Sequence, residues 1–177
     1  MGKIWLTSDW HLHHDKDFIL QPRGFSSAEK MNQEILERHN SLVDDNDIVI
    51  VLGDVLLGGP ATEEKAKYLK QFKGIKRLGI GNHDTDAKIK LYKELDIFDD
   101  IQFAYRFKAG KIEFICSHYQ FLVANKDDPK PIWNIHGHTH SQDAFCDIPH
   151  CYNVNMEAHN CYPVDIEQII SECKSHM

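Results

Sequence analysis

Residues 48–54 read Ile-Val-Ile-Val-Leu-Gly-Asp. A continuous β-branched run of this kind fits a strand covered on both faces, as found inside an α/β sheet. It stops abruptly on a glycine and an acid, and the same grammar recurs on either side. Residues 3–8 read as a short buried strand ending at Asp9, followed by a polar, histidine-bearing loop through Phe25. Residues 75–80 form a third strand that ends in Gly81-Asn82-His83-Asp84. Helices fill the intervals. Ser26-Ser27-Ala28-Glu29 reads as a capping box with the serine at N-cap and the glutamate at N3, and Met31, Ile35 and Leu36 supply an apolar stripe at helical spacing. Thr62 caps a second helix through Phe72, and a third runs from Asp86 to Leu95. From there the pattern changes. Residues 101–107 and 111–116 read as an antiparallel hairpin ending in Ser117-His118. An irregular stretch, 119–131, leads to a strand at 132–135 that ends in His136-Gly137-His138-Thr139-His140. A strand near 152–156 and a helix from about 165 to 173 complete the chain. The alternation of strands and helices indicates an α/β fold, and without repeats or linkers, residues 1–177 are expected to form one domain.

Composition narrows the function classes. At 177 residues the chain is long enough to bury a full core without staples. Its apolar runs fall far short of the roughly 18 residues needed to span a bilayer, so no membrane role is expected. The chain enters its first strand with no signal-peptide pattern, and cytoplasmic residence is the expectation. Five cysteines, an odd number without any C-x-x-C pair, argue against both a disulfide framework and a zinc ribbon. A net charge of −7 disfavours stable nonspecific nucleic-acid binding. It leaves nuclease chemistry open, because bound divalent ions can supply positive charge where a phosphate sits. The composition is unusual in its 12 histidines, several of them beside Asp, Asn and Gly.

Five predicted strands end in polar clusters: Asp9-x-His11, Gly53-Asp54, Gly81-Asn82-His83-Asp84, Ser117-His118 and Gly137-His138-Thr139-His140. In an α/β sheet the carboxyl ends of strands converge on one crevice, so clusters far apart in sequence can meet. Carboxylate and carboxamide oxygens mixed with imidazole nitrogens suit Mn2+, Fe2+, Zn2+ or Ni2+ rather than Ca2+.

In their order these clusters resemble the five-part signature of the calcineurin-like metallophosphoesterases, D-x-H, G-D, G-N-H-D/E, H and G-H-x-H. The resemblance implies a four-layer α-β-β-α sandwich of two mixed sheets flanked by helices. It implies two divalent ions, Mn2+ foremost, with Asp9, His11, Asp54 and His140 on one and Asp54, Asn82, His118 and His138 on the other. A hydroxide shared by the ions would attack phosphorus, His83 would protonate the leaving group, and Asp84 would orient the His83 imidazole. The fourth cluster departs from the frequent Gly-His in reading Ser-His. A smaller group of bacterial and phage phosphoesterases is similar in extending the first motif to D-x-H-x-x-H, here reaching His14, followed by R-P-F, here Arg23-Gly24-Phe25.

Phosphoester hydrolysis is the expected activity, on a nucleotide or other small phosphodiester. A phosphomonoesterase is the alternative, because a monoester needs an added cation and Arg23 is the candidate for it. A non-catalytic scaffold of the same fold, as in a small retromer subunit, is disfavoured by the presence of His83. Candidate substrate contacts are His14, set against a plain surface histidine, Arg23, set against a loop-fixing salt bridge, and Tyr119, which with Trp133 could stack on a nucleobase. The 119–131 segment is read as a wall or lid over the metals. His13 is expected to be solvated, His136 to be a satisfied core histidine and Trp133 to be packed in the core, while His39 and His176 carry no signal. Cys146, His150, Cys151, His159 and Cys161 fit no regular zinc spacing, and a second metal site there is not favoured.

Overall fold

The computed structural model describes residues 2–123 and 128–176. Strands β1 (Ile4–Thr7), β2 (Ile48–Val51), β3 (Ile75–Gly79) and β4 (Asp100–Gln102) run parallel in one sheet, and β9 (Val164–Asp165) joins antiparallel at the β1 edge, giving the order β4-β3-β2-β1-β9. The second sheet has the order β5-β6-β7-β8, from β5 (Ala104–Ala109), β6 (Ile112–Ser117), β7 (Ile132–His136) and β8 (Cys151–Asn153). Its β5–β6 pair is antiparallel and the remaining pairs are parallel. Among the described residues five α-helices accompany the sheets: α1 (Asp17–Leu20), α2 (Ala28–Leu42), α3 (Glu63–Tyr68), α4 (Asp86–Glu94) and α5 (Ile166–Ser175). Two mixed sheets flanked by helices are the expected architecture.

The β-branched run at 48–52 alternates between two cores, as a strand covered on both faces must. Val49 and Val51 pack with Trp5, Met31, Ile35, Ala66, Phe72 and Tyr92 beneath helices α2 to α4. Ile50 and Leu52 face Leu6, Phe114, Ile135 and Tyr152 between the sheets, where Ile169, Ile170 and Cys173 of α5 join them. The buried Asp47 carboxylate ties β1 to β2 by accepting from the backbone N–H of Lys3 at 2.7 Å and the Trp5 indole at 2.9 Å.

Register aligns the strand ends. Thr7 pairs with Val51, and Val51 with Leu78, so the segments carrying Asp9, Asp54 and Asn82 leave the first sheet at one edge. Cys116 pairs with Ile135, so His118 and His138 leave the second sheet together. An isolated parallel bridge between Ser8 and Asn155 brings the two edges against each other.

Four local expectations change. The strand expected at 101–107 is two strands that part at Phe103: β4 completes the first sheet and β5 opens the second. A continuous alternation in sequence hides such a crossover, because both halves keep the same period. The helix α2 is capped by Ser27, whose side chain accepts from Lys30 N–H, one residue later than the capping box placed it. A single turn, α1, occupies the loop after the first motif, where Ile19 and Leu20 are buried and Phe18 is not. The strand expected at 152–156 is shorter and earlier, at Cys151–Asn153.

Candidate metal centre

The residues after each strand turn sharply. Asp9, His11, Asp54, His138 and His140 have φ values of 56°, 49°, 55°, 67° and 49°. Non-glycine residues in this left-handed region cost about 1–3 kcal/mol each, and they persist where the surroundings over-determine them. Here backbone bonds do so: Asp9 N–H donates to Gly53 C=O and His11 N–H to Asp54 C=O, both at 3.0 Å, which zips the first two motif loops together. Glycine is required where loops touch. A Cβ on Gly53 would lie 2.7 Å from His118 Nδ1, and one on Gly137 would collide with the Ser8 hydroxyl and the Asp9 carboxylate.

Each central carboxylate has one oxygen fixed and one aimed inward. Asp9 Oδ2 accepts from His138 N–H at 2.9 Å and from the Ser8 hydroxyl. Its buried Oδ1 has no hydrogen-bond partner and lies 3.7 Å from His11 Nε2 and 3.8 Å from His140 Nε2. Asp54 Oδ1 accepts from His83 N–H at 2.8 Å, while Oδ2 lies 3.6 Å from both His11 Nε2 and His118 Nε2. Such separations are too long for hydrogen bonds, yet suit donors that share an ion about 2.0–2.2 Å from each.

The imidazoles are held with ring nitrogens turned inward. His118 Nδ1 donates to Leu52 C=O at 2.9 Å, which leaves the Nε2 lone pair facing Asn82 Oδ1 at 2.8 Å and His138 Nδ1 at 3.0 Å. His140 Nδ1 donates to Glu157 Oε1 at 3.0 Å and turns Nε2 inward. Buried His11 Nε2 has no hydrogen-bond partner. Lone pairs converging in this way repel unless a cation lies among them, so the donors fit divalent metal. Burial pushes both Asp carboxyls up, but the imidazoles around them outweigh it and hold Asp9 and Asp54 below the usual range, hence ionised. Burial similarly opposes, and the two carboxylates overcome it, in raising His11.

The seven expected ligands therefore converge, in two groups on either side of Asp54 Oδ2. Around them several assignments change. Asp84 does not orient the His83 ring. Its buried carboxylate accepts from the N–H groups of Asp54 at 2.8 Å, Gly81 at 3.0 Å and Val55 at 3.4 Å, fastening the second motif loop to the third. Arg23 does not reach into the site as a phosphate clamp. Its side chain is 0% exposed and spent on Glu157 at 2.8 Å and on the carbonyls of Asp9 and Trp10. The plainer reading, a loop-fixing salt bridge, is the correct one. His13 is not solvated: its ring bonds Asn32, packs edge-on to Tyr68, and its Nε2 is buried.

Glu157 is the participant that sequence reading missed. It is buried, opposes the His140 ring and Arg23 together, and follows β8 with no motif to mark it. Burial works to raise its carboxyl, but His140 and the Arg23 charge hold it down to about 2.

His83 is about half exposed, with Nε2 3.9 Å from Asp54 Oδ2. It lines a cavity of about 480 Å3 with His11, His14, Phe18, Leu57 and His140. The His14 ring stacks on His11. Tyr119 packs edge-on to His118 and His138. Residues 124–127, part of the expected wall or lid, lie outside the described residues. His136 is buried and bonded to Gly137 C=O and Gln120, and Trp133 is packed in the core. Of the five residues set aside as a second metal site, Cys161 packs under α2 and His159 donates to Asn153 C=O. Cys146 and Cys151 do approach His136, with the Gln120 amide bonded to both His136 and Cys146.

Nitrogen and oxygen donors gathered at the strand ends of two packed sheets define an α/β protein with a candidate metal centre. A family model for calcineurin-like phosphoesterases matches residues 2–172, and the chain belongs to that family, which depends on dinuclear metal. An uncharacterised protein of Methanocaldococcus jannaschii is 30% identical over 180 residues, covering 96% of this chain and 90% of that one. The gene 66 protein of Mycobacterium phage D29 is 26% identical over 189 residues, covering 93% and 94%. A crystal structure of a protein of unknown function from Aquifex aeolicus shares the fold, with a TM-score of 0.75 at 22% identity over 97% of this chain and 100% of that chain.

Proposed function

We propose that this chain hydrolyses small phosphodiesters with two divalent ions, Mn2+ by preference and Fe2+, Zn2+ or Ni2+ as ions of similar donor taste. Asp9, His11, Asp54 and His140 would hold one ion, and Asp54, Asn82, His118 and His138 the other. The observation that carries this reading is Asp54 Oδ2, equidistant at 3.6 Å from a histidine of each group, which is the placement a bridging carboxylate needs.

When bound, the ions supply Lewis acidity and lower the pKa of water towards 7. The chain supplies the rest. His83, half exposed beside the shared oxygen, is placed to protonate the departing ester oxygen. Asp84 acts as a positioning residue by holding the loops of Asp54 and Asn82 in register. A diester is favoured over a monoester on charge. Arg23 is committed to Glu157, and Lys88 donates to the carbonyls of Leu56 and His83. Among the described residues no Lys or Arg lines the cavity beside His83 to meet a second phosphate charge. Five cysteines, an odd number without any C-x-x-C pair, support a cytoplasmic setting, and residues 1–177 are proposed to act as one domain.

The test is metal-free protein reconstituted with Mn2+ and assayed on aryl phosphodiesters and phosphomonoesters. Diester cleavage is expected, lost in both His83→Ala and Asp54→Asn, with bound metal retained in the first and depleted in the second. Unchanged cleavage in His83→Ala would remove its role as proton donor. Absence of turnover on either ester class with any of the four metals would favour a binding scaffold.

A further inference from the structure

Phe18 and Phe103 are 70% and 61% exposed, the most exposed aromatic side chains among the described residues, and both flank the metal centre. On one side Phe18 packs edge-on to His14 with ring centroids 5.3 Å apart, and His14 stacks on His11 at 5.5 Å. On the other, Phe103 lies 6.2 Å from Tyr119, whose ring is 5.1 Å from His118 and 5.2 Å from His138. A line of rings thus approaches each donor group from outside, and Asp54 Oδ2 lies between the two groups. Both phenylalanines are presented by local departures from regular structure, the single turn α1 and the break between β4 and β5. The Phe18 side is a cavity walled by Ile19, Pro22 and Leu57 that also contains His83, so it is the side of the leaving group.

Exposed aromatic faces such as those of Phe18 and Phe103 recognise planar rings, and nucleobases stack on them with little sequence preference. A phosphomonoester has one organic arm and would leave one platform idle, whereas a diester has two. We propose that Phe18 with His14 seats the leaving arm and Phe103 with Tyr119 the retained arm of a dinucleoside-type phosphodiester. The ligand is of dinucleotide size, because a chain of net charge −7 offers little to hold a longer polyanion. This inference rests on the phosphodiester reading above and adds its substrate class.

The test is calorimetric titration of Mn2+-loaded His83→Ala protein with dithymidine monophosphate and with dimethyl phosphate. With stacking on two platforms, the dinucleoside should bind about a hundredfold more tightly, and Phe18→Ala or Phe103→Ala should each cut that preference about tenfold. Phe18→Tyr and Phe103→Tyr should restore it, which loss of folding would not allow. With His83 intact, Phe103→Ala should lower about tenfold the ratio of kcat/KM for thymidine 5′-(4-nitrophenyl phosphate) to that for methyl 4-nitrophenyl phosphate. An unchanged preference in both alanine variants, or dimethyl phosphate binding as tightly as the dinucleoside, overturns the platforms while cleavage of the nitrophenyl diesters leaves the diesterase standing. Binding that tightens with longer thymidine oligonucleotides overturns the dinucleotide size. If neither diester is bound or cleaved, both readings fall together.

Discussion

Arg23 shows how one residue supports the site without touching it. Its guanidinium joins the carbonyls of Asp9 and Trp10 to Glu157, which in turn sets the His140 ring. Arg23→Ala leaves the buried Glu157 carboxylate with the His140 N–H as its remaining partner and no guanidinium, and should destabilise the metal-free protein by about 3 kcal/mol, read from urea unfolding. Arg23→Lys should recover little, since an ammonium cannot reproduce the guanidinium fork. The pair also predicts a pH dependence. Glu157 is held down to about 2 from an ordinary value of 4.5, so its stabilisation is fully present above pH 4.5 and disappears as pH falls to about 2. Urea midpoints of Glu157→Gln, followed beside the parent protein from pH 5 to pH 2, should lack this component of the decline. A loop-fixing salt bridge was one of the two readings of Arg23 in sequence, but its partner was not legible: Arg23 and Glu157 are 134 positions apart, and only the meeting of the two sheets pairs them.

Local grammar predicts an element's existence better than its limits, as α2 shows. Both serines before it are plausible caps, and geometry selects Ser27, with Lys30 N–H donating to its hydroxyl at 3.3 Å. Ser27→Ala should therefore cost about 1 kcal/mol and Ser26→Ala almost nothing by thermal or chemical unfolding. Further along α2, His39 is buried edge-on against the stacked rings of Trp10 and Phe72 and donates to Lys73 C=O. Burial lowers its pKa to about 4. Because the folded value lies below the unfolded 6.5, its contribution is intact above pH 6.5 and is lost as pH falls towards 4. His39→Gln should remove that part of the acid sensitivity in urea titrations. The crossover at Phe103 is the element-scale feature the pattern concealed, since an unbroken period over 101–107 gives no sign that the chain changes sheets.

At the scale of the molecule, two cores lock the strand ends of both sheets around buried, like-charged carboxylates that a cation would relieve. Metal should therefore stabilise the fold by mass action, at about 2.7 kcal/mol when free metal is a hundredfold above Kd. For a chain of this size that corresponds to a Tm rise of roughly 5–11 °C. Scanning calorimetry with Mn2+ and with chelator checks it, and Asp54→Asn should show little response. The sequence by itself determined the inventory of donors, their placement after strands and the α/β class, because strand periodicity and turn-forming Gly, Asp and Asn are local properties. Tertiary structure alone decided that Asp84 fastens loops, that Arg23 is spent on Glu157, and that Phe18 and Phe103 stand exposed on either side of the donors. The physical reason is that each depends on which distant backbone N–H, carboxylate or ring arrives beside it, and that is fixed by sheet order and register.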